Sequence, residues 1–230
     1  MSAMNESTDN NENEQKLRLE VLPKAQRRLW EELSDTPAPF ILYGGTAIAL
    51  RLGHRQSVDF DFFAFSPIDS NSLMQSVPYL AGATSARTQP NTLNAIVDRD
   101  GPVQVSFFGF ARLRTVRPPT IIESPRVKIA DMLDLAGMKM AVIQHRAQAK
   151  DYLDIHAIWT QTDITPEQSI AAASIIYGDQ YNPYDTLKAL TYFGESELEA
   201  LPDDLKSFLI KASTGFDMIK MRHYLKEFTS

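Results

Sequence analysis

Hydrophobic and polar positions alternate in two different ways along the chain. The first half carries short apolar runs bounded by Gly, Pro and Asn, and the second half repeats at steps of three and four. Residues 15–34 (QKLRLEVLPKAQRRLWEELS) predict a helix started or interrupted near Pro23, with Trp30 and Leu33 on its buried side. Phe40 to Tyr43 predicts a buried strand bounded by Pro39 and the Gly44-Gly45 turn, and Thr46 to Leu52 predicts a helix stopped by Gly53. Val58 to Phe63 (VDFDFF) has period 2. Val58, Phe60 and Phe62 share one face, and Asp59, Asp61 and Phe63 share the other. A capped helix is expected from Ser66-Pro67 to Val77. Leu93–Val97 and Val103–Phe108 predict two strands joined by a turn at Asp98–Pro102.

From about residue 129 the pattern is helical. Leu133, Ala136, Met140, Ile143 and Ala147 mark one apolar face. A second helix begins near Ala149 and carries Tyr152, Leu153, Ile155, His156 and Trp159. Others are expected near 166–177, near 184–191 and over 202–226, the last breaking at Gly215. The expected fold class is therefore α/β (α+β), with a mixed sheet flanked by helices and then a helical C-terminal domain. The expected units are 1–14, a disordered tail; 15–125, the sheet-bearing core; and 126–230, a helical domain that completes the site. No internal repeat is visible.

Composition refines this picture. Hydrophobic residues make up 43% of the 230, enough for a real core. No apolar run reaches membrane-spanning length, so no membrane partner is expected, and the polar N-terminus lacks the apolar segment of a secretory signal. Cysteine is absent, which excludes disulfides and thiolate chemistry and fits a cytoplasmic location. Net charge is -6, but four of the acids (Glu6, Asp9, Glu12, Glu14) lie in the first 14 residues. The body is near neutral, so the overall field does not argue for nucleic acid binding.

The chemistry concentrates in Phe40 to Phe63, FILYGGTAIALRLGHRQSVDFDFF. A Gly-Gly turn at a helix N-terminus lets backbone amides approach phosphates closely. Asp59 and Asp61, two apart on a strand, point the same way and can share Mg²⁺ or Mn²⁺, which prefer hard oxygen ligands. Two metals about 3.5–4 Å apart would activate an attacking oxygen and steady a leaving pyrophosphate. Alone, a D-x-D is usually an exposed acidic face and a Gly-Gly only a turn. Here the aspartates sit among Phe60, Phe62 and Phe63, and neighbouring half-buried carboxylates need a compensating cation.

These residues resemble the nucleotidyltransferase AbiEii/AbiGii toxin family, of the DNA polymerase beta-like nucleotidyltransferase superfamily. The resemblance rests on the Gly-Gly turn, Gly53-His54-Arg55, Ser57 and the Asp-x-Asp strand. It extends to Asp131–Asp154 (DMLDLAGMKMAVIQHRAQAKDYLD), similar to a second signature carried by Lys139, Arg146, Lys150, Asp151 and Asp154. It covers about residues 37–160. It implies a nucleoside triphosphate substrate, metal bound by Asp59 and Asp61, and nucleotide contacts from Gly44, Gly45, Thr46, Arg55, Ser57 and Lys150. It implies that Lys139 meets the triphosphate as a point charge. Asp151 would sit at the mouth of the site as an orienting or acid/base group. From the residues alone, Lys139 and Arg146 also read as solvated bases on a helix flank, and Lys150-Asp151 as a helix-start pair.

One departure stands out. The superfamily usually sets a third carboxylate on a later strand, and Ser106 occupies that position here. Three outcomes follow: Asp151 or Asp154 supplies the charge, the site holds one metal, or transfer is weak or lost. His54-Arg55 reads as a nucleotide clamp or as a helix-end cap. Arg112, Arg114, Arg117, Arg126 and Lys128 read as an RNA guide or as a solvated loop. His145 and His156 match no zinc spacing and read as structural. The resemblance implies a toxin of a toxin–antitoxin or phage-defence pair, with tRNA or another RNA as acceptor and a cognate antitoxin as partner. The alternatives are a nucleotide-binding or interaction protein that has lost catalysis, and a transferase acting on a small molecule such as an antibiotic.

Overall fold

The computed structural model describes residues 17–229, so the expected polar tail, 1–14, lies outside them. The first expected helix is split into α1 (Lys24–Trp30) and single 3-10 turns at Leu19–Val21 and Leu33–Asp35. Pro23 restricts the residue before it and leaves the helix to begin at Lys24. Trp30 and Leu33 are buried, as their spacing predicts. β1 (Ile41–Tyr43) leads directly into α2 (Gly44–Leu52), and β2 (Asp59–Ala64) follows. α3 (Ser70–Ser76) starts later than expected because Asp69, not Ser66, caps it: the Asp69 carboxylate accepts from the amides of Asn71 and Ser72.

Next come β3 (Ser85–Gln89), β4 (Thr92–Asp98), β5 (Pro102–Gly109), β6 (Thr120–Ile122) and β7 (Val127–Ile129). The seven strands form one mixed sheet in the order β3-β4-β5-β2-β1-β7-β6. β2 runs parallel to β5 and antiparallel to β1, and β1 runs parallel to β7. The expected domain border at 125/126 falls between β6 and β7, and β7 pairs with β1 at the heart of the first half.

The helical half comprises α4 (Met132–Val142), α5 (Ala149–Gln161), α6 (Pro166–Tyr177), α7 (Pro183–Ala189), α8 (Ser196–Glu199), α9 (Asp203–Thr214) and α10 (Met218–Glu227). α4 lies close against α6: a Cβ on Gly137 would stand 2.9 Å from the Ala172 Cβ and the Ala173 amide. The expected apolar stripe holds through Ile143, which is buried just past the end of α4 at Val142, and Ala147 belongs to the following loop. One hydrophobic cluster surrounds the sheet and a second fills the helical half. Trp159 of α5 packs against both.

Candidate active site

β2 is held in register by its aromatic face. Trp30, Phe60, Phe62 and Phe107 form a continuous row, with successive ring centroids 6.2, 6.4 and 5.2 Å apart. Phe60 and Phe62 are fully buried, so Asp59, Asp61 and Phe63 must point to the opposite face. There they floor a cleft of about 520 Å³. In the neighbouring strand Gln104 lies beside Asp59, Ser106 beside Asp61 and Phe108 beside Phe63. Val58, expected on the aromatic face, precedes the strand and is 61% exposed.

The glycine turn touches these acids. Gly44 has φ +75°, and a Cβ there would lie 2.6 Å from Asp61 Oδ2, so the carboxylate rests on bare glycine backbone. A Cβ on Gly45 would collide with Arg55 Nη2 and reach within 3.4 Å of Asp154 Oδ2. Both glycines leave space that other side chains fill. Thr46 and Ser57 line the cleft, yet their hydroxyls are 2.8 Å apart, and the Thr46 hydroxyl also donates to the Asp59 carbonyl. Their side chains tie the start of β2 to α2.

A buried ion network closes the other wall. Lys139 Nζ lies 2.7 Å from Asp151 Oδ1 and 2.6 Å from Asp154 Oδ2. The Asp154 carboxylate also accepts from His54 Nε2 at 2.7 Å and from Arg55 Nε and Nη2 at 2.7 and 2.9 Å. Asp151 accepts from Arg146 Nε and Nη2 at 2.9 and 3.1 Å. Burial alone would raise the Asp154 carboxyl. The hydrogen bond from His54 and the charges of Lys139 and Arg55 outweigh it and hold the group well below the usual carboxylate range. Asp151 is likewise held low, as Lys139 and Arg146 outweigh burial.

This geometry corrects several expectations. Asp151 is fully buried behind Lys139 and does not line the cleft, so it is not at the mouth of the site. Lys139 is 6% exposed and so is not a solvated base, whereas Arg146 lies beyond the end of α4, exposed but paired with Asp151. Asp151 and Asp154 are both spent on cations, and neither replaces a third carboxylate beside Ser106. His54-Arg55 does not simply cap α2 but reaches across to Asp154 on α5. Arg55 and the exposed Lys150 both line the cleft. The basic stretch does not line it: Lys128 donates to the Ala38 carbonyl, and the amides of Val116 and Arg117 donate to buried Asp134.

The family model described as "Nucleotidyl transferase AbiEii toxin, Type IV TA system" matches residues 27–226, which contain the glycine turn, the aspartate strand and the ion network. The chain belongs to the AbiEii nucleotidyltransferase toxin family. It is similar to an uncharacterized protein of Aquifex aeolicus (strain VF5), 33% identical over 212 residues that cover 89% of this chain and 98% of that one. Among solved structures it is similar to MenT4, a nucleotidyltransferase toxin of Mycobacterium tuberculosis H37Rv. The TM-score is 0.57 at 16% identity, covering 92% of this chain and 90% of the other, a likeness of fold.

Within this AbiEii-family cleft, Asp59 and Asp61 are the carboxylates among the described lining residues, and together they could hold a divalent cation. Burial first, and the charge of Asp59 second, push the Asp61 carboxyl up to about 6, with the Ser106 hydrogen bond and Lys139 pulling it back. A cation would relieve that repulsion. Among the described residues no three His, Cys, Asp or Glu converge on one point. The donor set therefore suits an ion that takes one or two carboxylates and fills its shell with phosphate oxygens and water, as Mg²⁺ does.

Phe63 shares the aspartates' face, as its alternation predicts, but Asn94, Gln104 and Phe108 of the cleft escaped the sequence reading. Only the register of β2, β5 and β4 brings them beside the aspartates.

Proposed function

We propose that the chain transfers a nucleoside monophosphate from a nucleoside triphosphate to a hydroxyl of an acceptor, with RNA as the acceptor class, and that it acts as the toxin of a toxin–antitoxin pair. The observation that carries this reading is the convergence in one cleft of Asp59 and Asp61, the Gly44-Gly45 turn and the Lys139-bearing helix. In the reaction the acceptor oxygen bonds to the α-phosphorus, the bond from that phosphorus to the bridging oxygen breaks, and pyrophosphate departs. The hydroxyl proton leaves to solvent at the open side of the cleft.

Each residue has a part. The N-terminus of α2, with no side chain on Gly44 or Gly45, offers amides and the positive end of the helix dipole to the phosphates. Lys139 is fixed by two carboxylates, so it presents charge at a set place rather than a mobile arm. Lys150 and Arg146 add cations at the lip. Asp59 and Asp61 would hold Mg²⁺ or Mn²⁺, which when bound neutralises phosphate charge and activates the attacking oxygen. Asp151 and Asp154 position Lys139, Arg146 and Arg55 without touching substrate.

Transfer of label from each of the four α-labelled triphosphates to cellular RNA tests this. The wild type is expected to transfer from at least one, and Asp59→Ala with Asp61→Ala to abolish transfer and relieve growth arrest. Undiminished transfer by the double variant overturns the reading. Ser106, buried beside Asp61, favours a second reading: a protein that binds triphosphate without turnover. A metal-dependent melting shift with no label transfer under any acceptor would establish it instead.

A further inference from the structure

Gln26 breaks the pattern of the first helix. Gln26, Leu29 and Trp30 share the buried face of α1, and Leu29 and Trp30 belong to the core around the sheet. Gln26 is buried as deeply as they are, at 1% exposed, although glutamine usually stays at the surface. Its Nε2 donates to the Asp59 carbonyl at 3.2 Å, while its Oε1 is buried without a hydrogen-bond partner among the described residues. Only the nitrogen can donate, so the carbonyl fixes which end of the amide faces β2. A buried acceptor left unpaired destabilises the folded state, and an apolar side chain of similar volume would avoid that cost. Packing alone therefore gives no reason for a glutamine at this position, whereas the contact with β2 does.

That contact falls where the ladder is incomplete. β5 runs beside β2 from Asp59 to Ala64, but β1 pairs with it only from Asp61 to Phe63 before giving way to the glycine turn. Asp59 therefore has a strand neighbour on one side only, and the residue before it, Val58, is exposed. Side chains hold its carbonyl instead. The Thr46 hydroxyl donates to it from α2, on the cleft side, and the Gln26 amide donates to it from α1, on the aromatic side. Each donor is itself anchored. Thr46 is bonded to Ser57, 2.8 Å away. One turn on from Gln26, the Trp30 ring lies 6.2 Å from that of Phe60, between their centroids.

We propose that Gln26 is a positioning residue for the metal-binding carboxylates, acting from behind the sheet through the Asp59 backbone. The inference rests on the reading of Asp59 and Asp61 as the metal pair. Donors on opposite faces keep the peptide after Asp59 from turning, and so keep the Asp59 side chain aligned with that of Asp61. An apolar residue at position 26 would leave Thr46 alone to hold the carbonyl, and the Asp59 carboxylate would swing relative to its neighbour. Hydrogen-bond partners behind metal ligands set ion affinity in this way. Gln26 itself does not line the cleft, so it touches neither ion nor substrate. The signature of the role is a pair of opposed effects: the unpaired Oε1 weakens the fold, and the Nε2 bond sharpens the site.

The test is a titration of Mn²⁺ alone into the full chain, followed by the electron paramagnetic resonance signal of the free ion, with urea denaturation of the same samples. Gln26→Met and Gln26→Leu are expected to bind Mn²⁺ about fivefold or more weakly, short of the roughly 10–100-fold typical of partners bonded to the ligand group itself. Their urea midpoints are expected to equal or exceed that of the wild type. Leu29→Val, on the same face of α1, is the control, with a lower midpoint and wild-type Mn²⁺ affinity. Wild-type affinity in both Gln26 variants overturns the inference. So does a midpoint in those variants lowered as far as in Leu29→Val, or an equal loss of affinity in Leu29→Val, because Gln26 would then be an ordinary structural residue. Asp59→Ala with Asp61→Ala separates the two readings. If that variant loses the ion while the Gln26 variants keep it, the inference alone fails. If it binds Mn²⁺ as the wild type does, the metal reading fails and the inference falls with it.

Discussion

Asp154 shows how much one side chain organises. It is fully buried and binds Lys139, His54 and Arg55, joining α5 to α4 and to the loop after α2. Asp154→Ala would leave Arg55 without its carboxylate, His54 without its acceptor and Lys139 with Asp151 alone, and a broken buried pair costs about 3–5 kcal/mol. Urea denaturation is expected to show a loss of that order, and triphosphate affinity should fall with it because Arg55 and Lys139 are released. Asp134 makes a different prediction. Burial pushes its carboxyl from 3.8 to about 6, against the pull of the Val116 and Arg117 amides. The folded state therefore holds this proton more tightly than the unfolded chain. Its contribution to stability is greatest below about pH 4 and is lost as pH rises through about 6. Asp134→Asn should remove that slope when unfolding free energies of the two proteins are subtracted across pH 4–7; equal slopes would contradict it. The sequence made Asp59 and Asp61 visible, since period 2 alone sets both on the polar face of a strand. It left Asp151 misplaced, because spacing along a helix does not say whether a carboxylate faces solvent or a lysine on the next helix.

At the scale of elements, the passage from β1 through the glycine turn into α2 is the most demanding part of the chain. Gly44 combines a positive φ with a carboxylate packed where a side chain would be. Gly44→Ala is expected to cost about 1–2 kcal/mol for the left-handed backbone alone, and also to push Asp61 from its place. Melting and label transfer measured on the same preparation should both fall, with transfer falling further; an alanine variant with full transfer would contradict the packing argument. These elements were legible because Gly-Gly, Pro39 and Gly53 punctuate them. β3 was not, because Ser-Ala-Arg-Thr-Gln is an exposed edge with no apolar alternation. β6 and β7 are only three residues each, too short for a period to register.

In the whole molecule, the site lies at the seam between two hydrophobic clusters, one around the sheet and one in the helical half. The aspartates come from the first and Lys139 from the wall between them. Occupying the cleft should therefore brace both halves, and saturating magnesium triphosphate at about 100 times its dissociation constant should add about 2.7 kcal/mol of stability. The change from strand-like to helix-like periodicity made the two-part layout readable. The seam itself was not, because β7 returns to pair with β1 after the pattern has begun to change. In the proposed reaction Asp59 and Asp61 jointly grip the ion that accompanies the triphosphate. Calorimetric titration of magnesium triphosphate into the wild type and into Asp59→Asn with Asp61→Asn tests it most directly. The variant, folded as judged by circular dichroism, is expected to bind at least about tenfold more weakly, a loss of about 1.4 kcal/mol or more. Equal affinity in the two proteins would contradict it.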